Sequence, residues 1–470
     1  MRDPKKILLV AAISAFSLSS FAFDALKDRP TPPKRLFNET PDERAARRAW
    51  WQHDRFGMFI HFGLYSVPAR HEWVQFYERI SPDDYRRRYM PRFNPDLFDA
   101  KDWARRAKAA GMKYVVLTAK HHEGFCMWDT KTTDFKITNT TFGRDLVREF
   151  VDAVRAEGLK VGLYFSIKDW HHPDYLIDET HPLRPAAFND ATYERVNAGR
   201  DFNRYRADMF EQVNELLTNY GKIDIIWFDY VVKAKYGKNW KHFEAVDLVK
   251  KARSLQPDIL IDSRLDLMDT EDGWDFVTPE QARVTRTPQV AGQDAPWELC
   301  QTFSGSWGYH RDENTWKSPH QLIEILITCV SFNGNLILNV GPTARGAFDE
   351  RACDRLDALG KWMHLNDRAI YGCGKAPDDI VSPPGTLLTY NKETNRLYIH
   401  LLNYPAEYLP ITFTDRIDFV QFLHDGSELE IQRGENAHSQ GGDLGKVDFI
   451  RLPIVKPSVE IPVIEVFLKK

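Results

Sequence analysis

Three carboxylates stand where they could cleave a glycosidic bond. Asp229 closes the run Ile223 to Tyr230, IDIIWFDY, whose apolar start reads as a strand buried on both faces. Glu280 follows a strand-like stretch, Trp274 to Val277, and Glu298 sits in Trp297-Glu298-Leu299-Cys300. Glycoside hydrolysis needs one carboxyl to protonate the leaving oxygen and a second to attack the anomeric carbon or activate water. Asp229 and Glu280 end two strands separated by one more, Ile259 to Asp262, which places them across a substrate pocket. Glu298 is the alternative for the second role. A retaining mechanism would set the two carboxyls roughly 5–5.5 Å apart. It would also need one of them ionised while the other begins protonated.

Other strand ends carry matching chemistry. His61 follows Phe56 to Ile60, with His71-Glu72-Trp73 beyond it, and Lys120-His121-His122-Glu123 follows Tyr114 to Thr118. Tyr164 lies in Val161 to Phe165, Trp227 precedes Asp229, and Arg264 follows Asp262. A polar or aromatic cluster at the same end of successive strands is what the active face of a parallel barrel requires. Histidine, glutamate and arginine can bond hydroxyls, while tryptophan and tyrosine offer flat apolar faces to a sugar ring. A zinc reading of the His121-His122 pair is weak. Neighbours along a strand point to opposite faces, and no HxH or HExxH pattern occurs.

Strands must alternate with helices to bring these ends together, and they do. Besides those named, Leu336 to Val340 reads as a strand. Helical spacing marks Ala100 to Ala110, Asp145 to Gly158, Arg200 to Gly221, Phe243 to Leu255, Pro319 to Ser331 and Asp349 to Leu365. This alternation predicts a (β/α)8-like barrel over residues 36–370. From 371 to 470 short alternating runs (Leu387 to Tyr390, Arg396 to Asn403, Ile411 to Thr414, Phe419 to Leu423, Val463 to Leu468) predict a C-terminal all-β sandwich. No GxGxxG or GxxxxGK turn follows a strand, which counts against a nucleotide site.

The net charge of −4 offers no electrostatic reason to bind nucleic acid. Residues 1–22 read as a signal peptide, with Arg2, Lys5 and Lys6 before an apolar run and Ser20-Phe21-Ala22 as a small-x-small cleavage site. The expected mature protein has no membrane segment and is periplasmic or secreted from a bacterium. Five cysteines without a CxxC pair imply neither a disulfide framework nor a zinc knuckle.

The stretches FGMFIHFGLYSVPARHEW, KYVVLTAKHHEGFCMWDT, GLYFSIKDWHHPDY, IDIIWFDY, WELCQTFSGSWGY and GNLILNVGP resemble the retaining α-L-fucosidases of glycoside hydrolase family 29. The resemblance covers nearly the whole mature sequence and implies a barrel followed by a β-sandwich. It implies Asp229 as a nucleophile forming a covalent fucosyl-enzyme, Glu280 as acid/base with Glu298 as fallback, and no cofactor or metal. His61, Glu72, Trp73, His121, His122, Tyr164, Trp227 and Arg264 resemble the family's fucose-pocket positions. The expected partner is a fucosylated oligosaccharide or glycoconjugate. An α-L-galactoside hydrolase, a non-catalytic sugar-binding relative and a metal-dependent hydrolase are the competing expectations.

Overall fold

The strands of the first 340 residues divide their side chains between two apolar clusters, and that division makes a barrel. The computed structural model describes residues 30–229, 234–434 and 447–470, with the backbone of 438–439 and 442–443. The expected signal peptide and Tyr230 lie outside the described residues. Seven parallel strands form one sheet: β1 (Phe56–Ile60), β2 (Tyr114–Lys120), β3 (Lys160–Ser166), β4 (Ile225–Asp229), β5 (Leu260–Ile261), β6 (Glu298–Thr302) and β7 (Asn335–Val340). Their order is β5-β4-β3-β2-β1-β7-β6. Met58, Ile60, Leu117, Ile226 and Phe228 point outward into the core shared with the helices. Phe59, Val116, Tyr164, Ile225, Trp227 and Ile337 point inward and fill the barrel.

The sheet closes through the segment 275–281. Asp262 pairs with Phe276, Val277 with Trp297 and Glu280 with Cys300, all in parallel sense. The strand expected over Trp274 to Val277 therefore exists only as single bridges. Pro279 has no N–H to donate, and the buried Asp275 carboxylate itself accepts from Ile261 N at 2.8 Å. Conversely, β6 is a strand that the apolar pattern does not announce, since ELCQT contains only Leu299 and Cys300 as apolar residues.

Helices Ala100–Ala109, Leu146–Ala156, Phe202–Thr218, Ala245–Leu255 and Pro319–Ser331 return the chain between strands, and Glu350–Asn366 follows β7. Their ends are set locally. Asp145 caps one helix by accepting from Arg148 N, and Ser318 and Gln321 form a capping box beside Pro319. Between β5 and β6 the chain has no helix, so the barrel is (β/α)8-like rather than regular.

The C-terminal part forms a four-stranded antiparallel sheet in the order Thr386–Asn391, Arg396–Leu401, Val463–Leu468, Ile417–Phe422. A three-stranded one follows, in the order Tyr408–Ile411, Asp448–Arg451, Ile431–Gln432. Leu397, Ile399, Ile411, Ile450 and Val466 share one buried cluster, as the layers of a sandwich do. The strand expected at Ile411 to Thr414 ends at Ile411, because Thr414–Arg416 coils as a short 3-10 turn. All five cysteines are free thiols, and among the described residues no helix is long and apolar enough to cross a membrane.

Candidate active site

Asp229 is the last residue of β4, 8% exposed, with its side chain at the C-terminal end of the barrel. The Tyr164 hydroxyl, from the neighbouring β3, donates to its Oδ2 at 2.8 Å. Arg264 Nη1 donates to its Oδ1 at 3.0 Å, and His122 Nε2 lies 3.8 Å from Oδ2. Burial, the Asp229 charge and the hydrogen bond push the Tyr164 phenol well above its ordinary value, so it remains a donor.

Arg264 joins the two sides of the site. Its Nη2 donates to Glu280 Oε2 at 2.7 Å and its Nε to Thr278 Oγ1 at 2.9 Å. Its guanidinium lies 4.5 Å over the Trp227 ring. Burial opposes the charge, but Glu280 and Asp229 outweigh it and hold the guanidinium well above its usual range. One fixed cation thus contacts both carboxylates, using a different terminal nitrogen for each.

These groups line a pocket of about 440 Å³ formed by Phe59, His61, Trp73, His121, His122, Tyr164, Trp227, Asp229, Arg264, Glu280, Cys300 and Trp307. His121 and His122 both reach it, with ring centroids 4.2 Å apart. β2 has ended at Lys120, so strand alternation no longer separates the two rings. Among the described residues no three His, Cys, Asp or Glu side chains converge as they would around a metal ion. Burial pushes His61 and His122 well below the ordinary histidine value, helped by the neighbouring His121, so both are neutral.

Two of the residues singled out from sequence stand elsewhere. Glu72 is 2% exposed and accepts from the backbone N–H groups of Trp307 at 3.1 Å and Gly308 at 2.9 Å. It supports the loop that carries a pocket wall. Glu298 is the first residue of β6, two positions before the pocket residue Cys300 and so about 7 Å deeper in the barrel. It accepts from Trp51 Nε1 at 3.2 Å, Tyr114 Oη at 2.5 Å and Trp227 Nε1 at 3.4 Å.

Phe59, Cys300 and Trp307 also line the pocket without having been singled out. Phe59 is two residues before His61 and shares its face, a signal open to strand periodicity. Trp307 arrives on a loop; its ring lies 5.1 Å from that of His61.

A family model described as α-L-fucosidase matches residues 27–368. The chain is similar to α-L-fucosidase isoenzyme 1 from Paenibacillus thiaminolyticus, with 42% identity and a TM-score of 0.82 over 91% of this chain and 100% of that one. A Bacteroides thetaiotaomicron GH29 α-L-fucosidase, described as a trapped covalent intermediate in complex with 2-fluoro-fucosyl fluoride, is 26% identical. Its TM-score is 0.75 over 94% and 98% of the two chains. The tissue α-L-fucosidase of Rattus norvegicus is 29% identical over 76% of this chain and 77% of its own length.

Proposed function

We infer that this chain, which belongs to the α-L-fucosidase family of glycoside hydrolases, releases terminal α-L-fucose from fucosylated oligosaccharides or glycoconjugates by double displacement. The observation that carries this reading is the single guanidinium of Arg264 in contact with both Asp229 and Glu280 on the wall of one pocket. A shared guanidinium suits the short carboxyl separation of a retaining enzyme. The trapped covalent intermediate of the Bacteroides relative supports the same reading.

Asp229 is the nucleophile. Tyr164 and Arg264 fix its carboxylate, and Phe59 and Trp227 line the pocket beside it. An Asp229 oxygen bonds to the anomeric carbon as the bond to the leaving oxygen breaks. Glu280, whose side chain is 43% exposed, supplies the proton that the leaving oxygen takes. Glu280 must carry that proton at attack, so its contact with Arg264 gives way when the glycosidic oxygen arrives. In the second step Glu280 takes a proton from water, which attacks the same carbon and frees Asp229. The aromatic walls favour the C6 methyl of fucose over the hydroxymethyl of an α-L-galactoside. Export directed by residues 1–22 belongs to this reading and rests on their composition.

The test is hydrolysis of an aryl α-L-fucoside with and without azide. Asp229→Gly should lose roughly a thousandfold or more of kcat, and azide should restore turnover as the inverted β-fucosyl azide. Glu280→Ala should keep activity on an activated aryl group and give α-fucosyl azide, whereas Glu298→Ala should give neither azide product. Undiminished turnover by Asp229→Gly would remove the nucleophile from this account.

A further inference from the structure

Two histidines of the pocket, His61 and His122, are hydrogen-bonded at Nδ1 to side chains that are not on the pocket wall. His61 Nδ1 lies 2.6 Å from Asn339 Oδ1 and His122 Nδ1 2.7 Å from Ser166 Oγ, whereas His121 Nδ1, 3.5 Å from Glu123 Oε2, makes no hydrogen bond. The direction of the two bonds follows from what lies behind them. Asn339 Nδ2 donates to the backbone oxygen of Trp307 at 2.6 Å. That oxygen can only accept, so the amide presents its own oxygen to His61, and His61 donates from Nδ1. Ser166 gives its one hydroxyl proton to Lys168 O at 2.9 Å, so it accepts from His122 Nδ1. A neutral imidazole that donates from Nδ1 has a bare lone pair on Nε2.

We propose that Asn339 is a positioning residue that fixes His61 as a hydrogen-bond acceptor toward the pocket, so that the enzyme selects a sugar hydroxyl able to donate there. The proposal rests on the α-L-fucoside reading of the pocket and extends it to a residue outside the pocket wall. The same amide also sets an apolar wall. Trp307 is held through its oxygen by Asn339 and through its N–H by Glu72, which keeps its ring beside His61. Gly341 lets this happen at close range, because a Cβ there would come within 2.7 Å of the Trp307 oxygen.

The groups facing His61 reinforce its neutral state. Its ring centroid is 5.6 Å from that of His121 beyond β2 and 5.5 Å from that of Tyr164 on β3. Tyr164 in turn contacts Asp229. Arg264, beyond β5, adds positive charge, and with burial and His121 it outweighs the support from Asn339, keeping the imidazole unprotonated.

Two readouts separate this proposal from the function it extends. The first needs no sugar: 15N spectra of histidine-labelled, ligand-free protein, with His61 assigned by its loss in His61→Gln. Wild type should show His61 protonated at Nδ1 alone, and Asn339→Leu should abolish that preference. A His61 proton on Nε2 in wild type would overturn the proposal. The second uses methyl α-L-fucopyranoside and its monodeoxy derivatives as competitive inhibitors of aryl fucoside hydrolysis. Wild type should bind one deoxy derivative about tenfold more weakly than the parent, the loss of one hydrogen bond. Asn339→Leu should bind the parent and that derivative alike, with KM raised more than kcat is lowered.

Asn339→Asp keeps an acceptor at Nδ1 but makes it a carboxylate, which favours the imidazolium. Its kcat/KM should therefore fall as pH drops through a new, higher ionisation that wild type lacks. That acidic limb also decides the matter should Asn339→Leu fail to fold. Unchanged discrimination in Asn339→Leu, or an unshifted limb in Asn339→Asp, would overturn the proposal. Failure of wild type to bind methyl α-L-fucopyranoside would instead sink the substrate reading and the hydroxyl selection with it, while the tautomer is read independently.

Discussion

Glu298 is a carboxyl group sealed in the barrel with three donors around it and, among the described residues, no cation in contact. Desolvation outweighs the hydrogen bonds from Tyr114, Trp51 and Trp227 and pushes it up to about 7 from an ordinary 4.5. The folded state therefore holds the Glu298 proton more tightly than the unfolded chain does. That preference stabilises the fold fully below pH 4.5 and is lost as pH rises toward 7, by about 3 kcal/mol. Glu298→Gln cannot ionise, so urea midpoints measured at pH 5 and pH 7.5 should converge in the variant relative to wild type. An unchanged difference would mean that Glu298 stays charged in the fold. Asp229 was legible as a site residue because it ends an apolar strand, and Arg264 because it follows the next one. Glu298 was only the alternative acid/base, and nothing in ELCQT marks it as the first residue of a strand, deep in the barrel. Trp307 and Asn339 were beyond reach for a different reason: their link to His61 joins a loop to a distant strand, and no local spacing records such a contact.

The strand ends point to one mouth only because the strands pack closely enough to close the barrel, and that packing depends on missing side chains. Gly57 of β1 pairs with Tyr114 of β2, and a Cβ at Gly57 would lie 2.2 Å from the Tyr114 ring. Tyr114 has little room to yield, since its hydroxyl is engaged by Glu298. Gly57→Ala should lower stability by about 1–3 kcal/mol through overpacking, read as a drop in Tm. The kcat/KM of the folded enzyme on an aryl fucoside should change little, because the clash lies below the pocket. A variant as stable as wild type would mean that the β1–β2 spacing is softer than the close contact implies. The same physics governs what could be read of the elements. Helices with capped starts and apolar faces, such as Pro319–Ser331, stand where their spacing puts them. The closing segment 275–281 carries its pairing through Asp275 and around Pro279, so its role comes from geometry that periodicity does not record.

Barrel and sandwich share a hydrophobic core rather than merely a chain. Tyr398, Leu423, Ile461 and Val463, from the C-terminal part, belong to the same buried cluster as the outer face of the barrel strands and their helices. Polar links reinforce the join. Trp362, on the helix after β7, donates from its indole to Ile461 O at 2.9 Å, and Thr389 Oγ1 donates to Ala369 O at 2.7 Å. Arg368 reaches the almost buried Glu465 carboxylate at 3.3 Å. Removing residues 386–470 would take away those four apolar side chains and uncover Trp362. Each fully buried apolar side chain is worth roughly 1.5–3 kcal/mol, against a whole-domain stability of about 5–15 kcal/mol. A chain ending at residue 385 should therefore aggregate or elute far ahead of a monomer in size-exclusion chromatography, with no turnover of an aryl α-L-fucoside. Among the described residues the pocket contains none beyond Trp307, so the loss would come from the fold and not from missing chemistry. A monomeric, active truncation would show that the barrel closes its own core, and the sandwich would then need a role of its own.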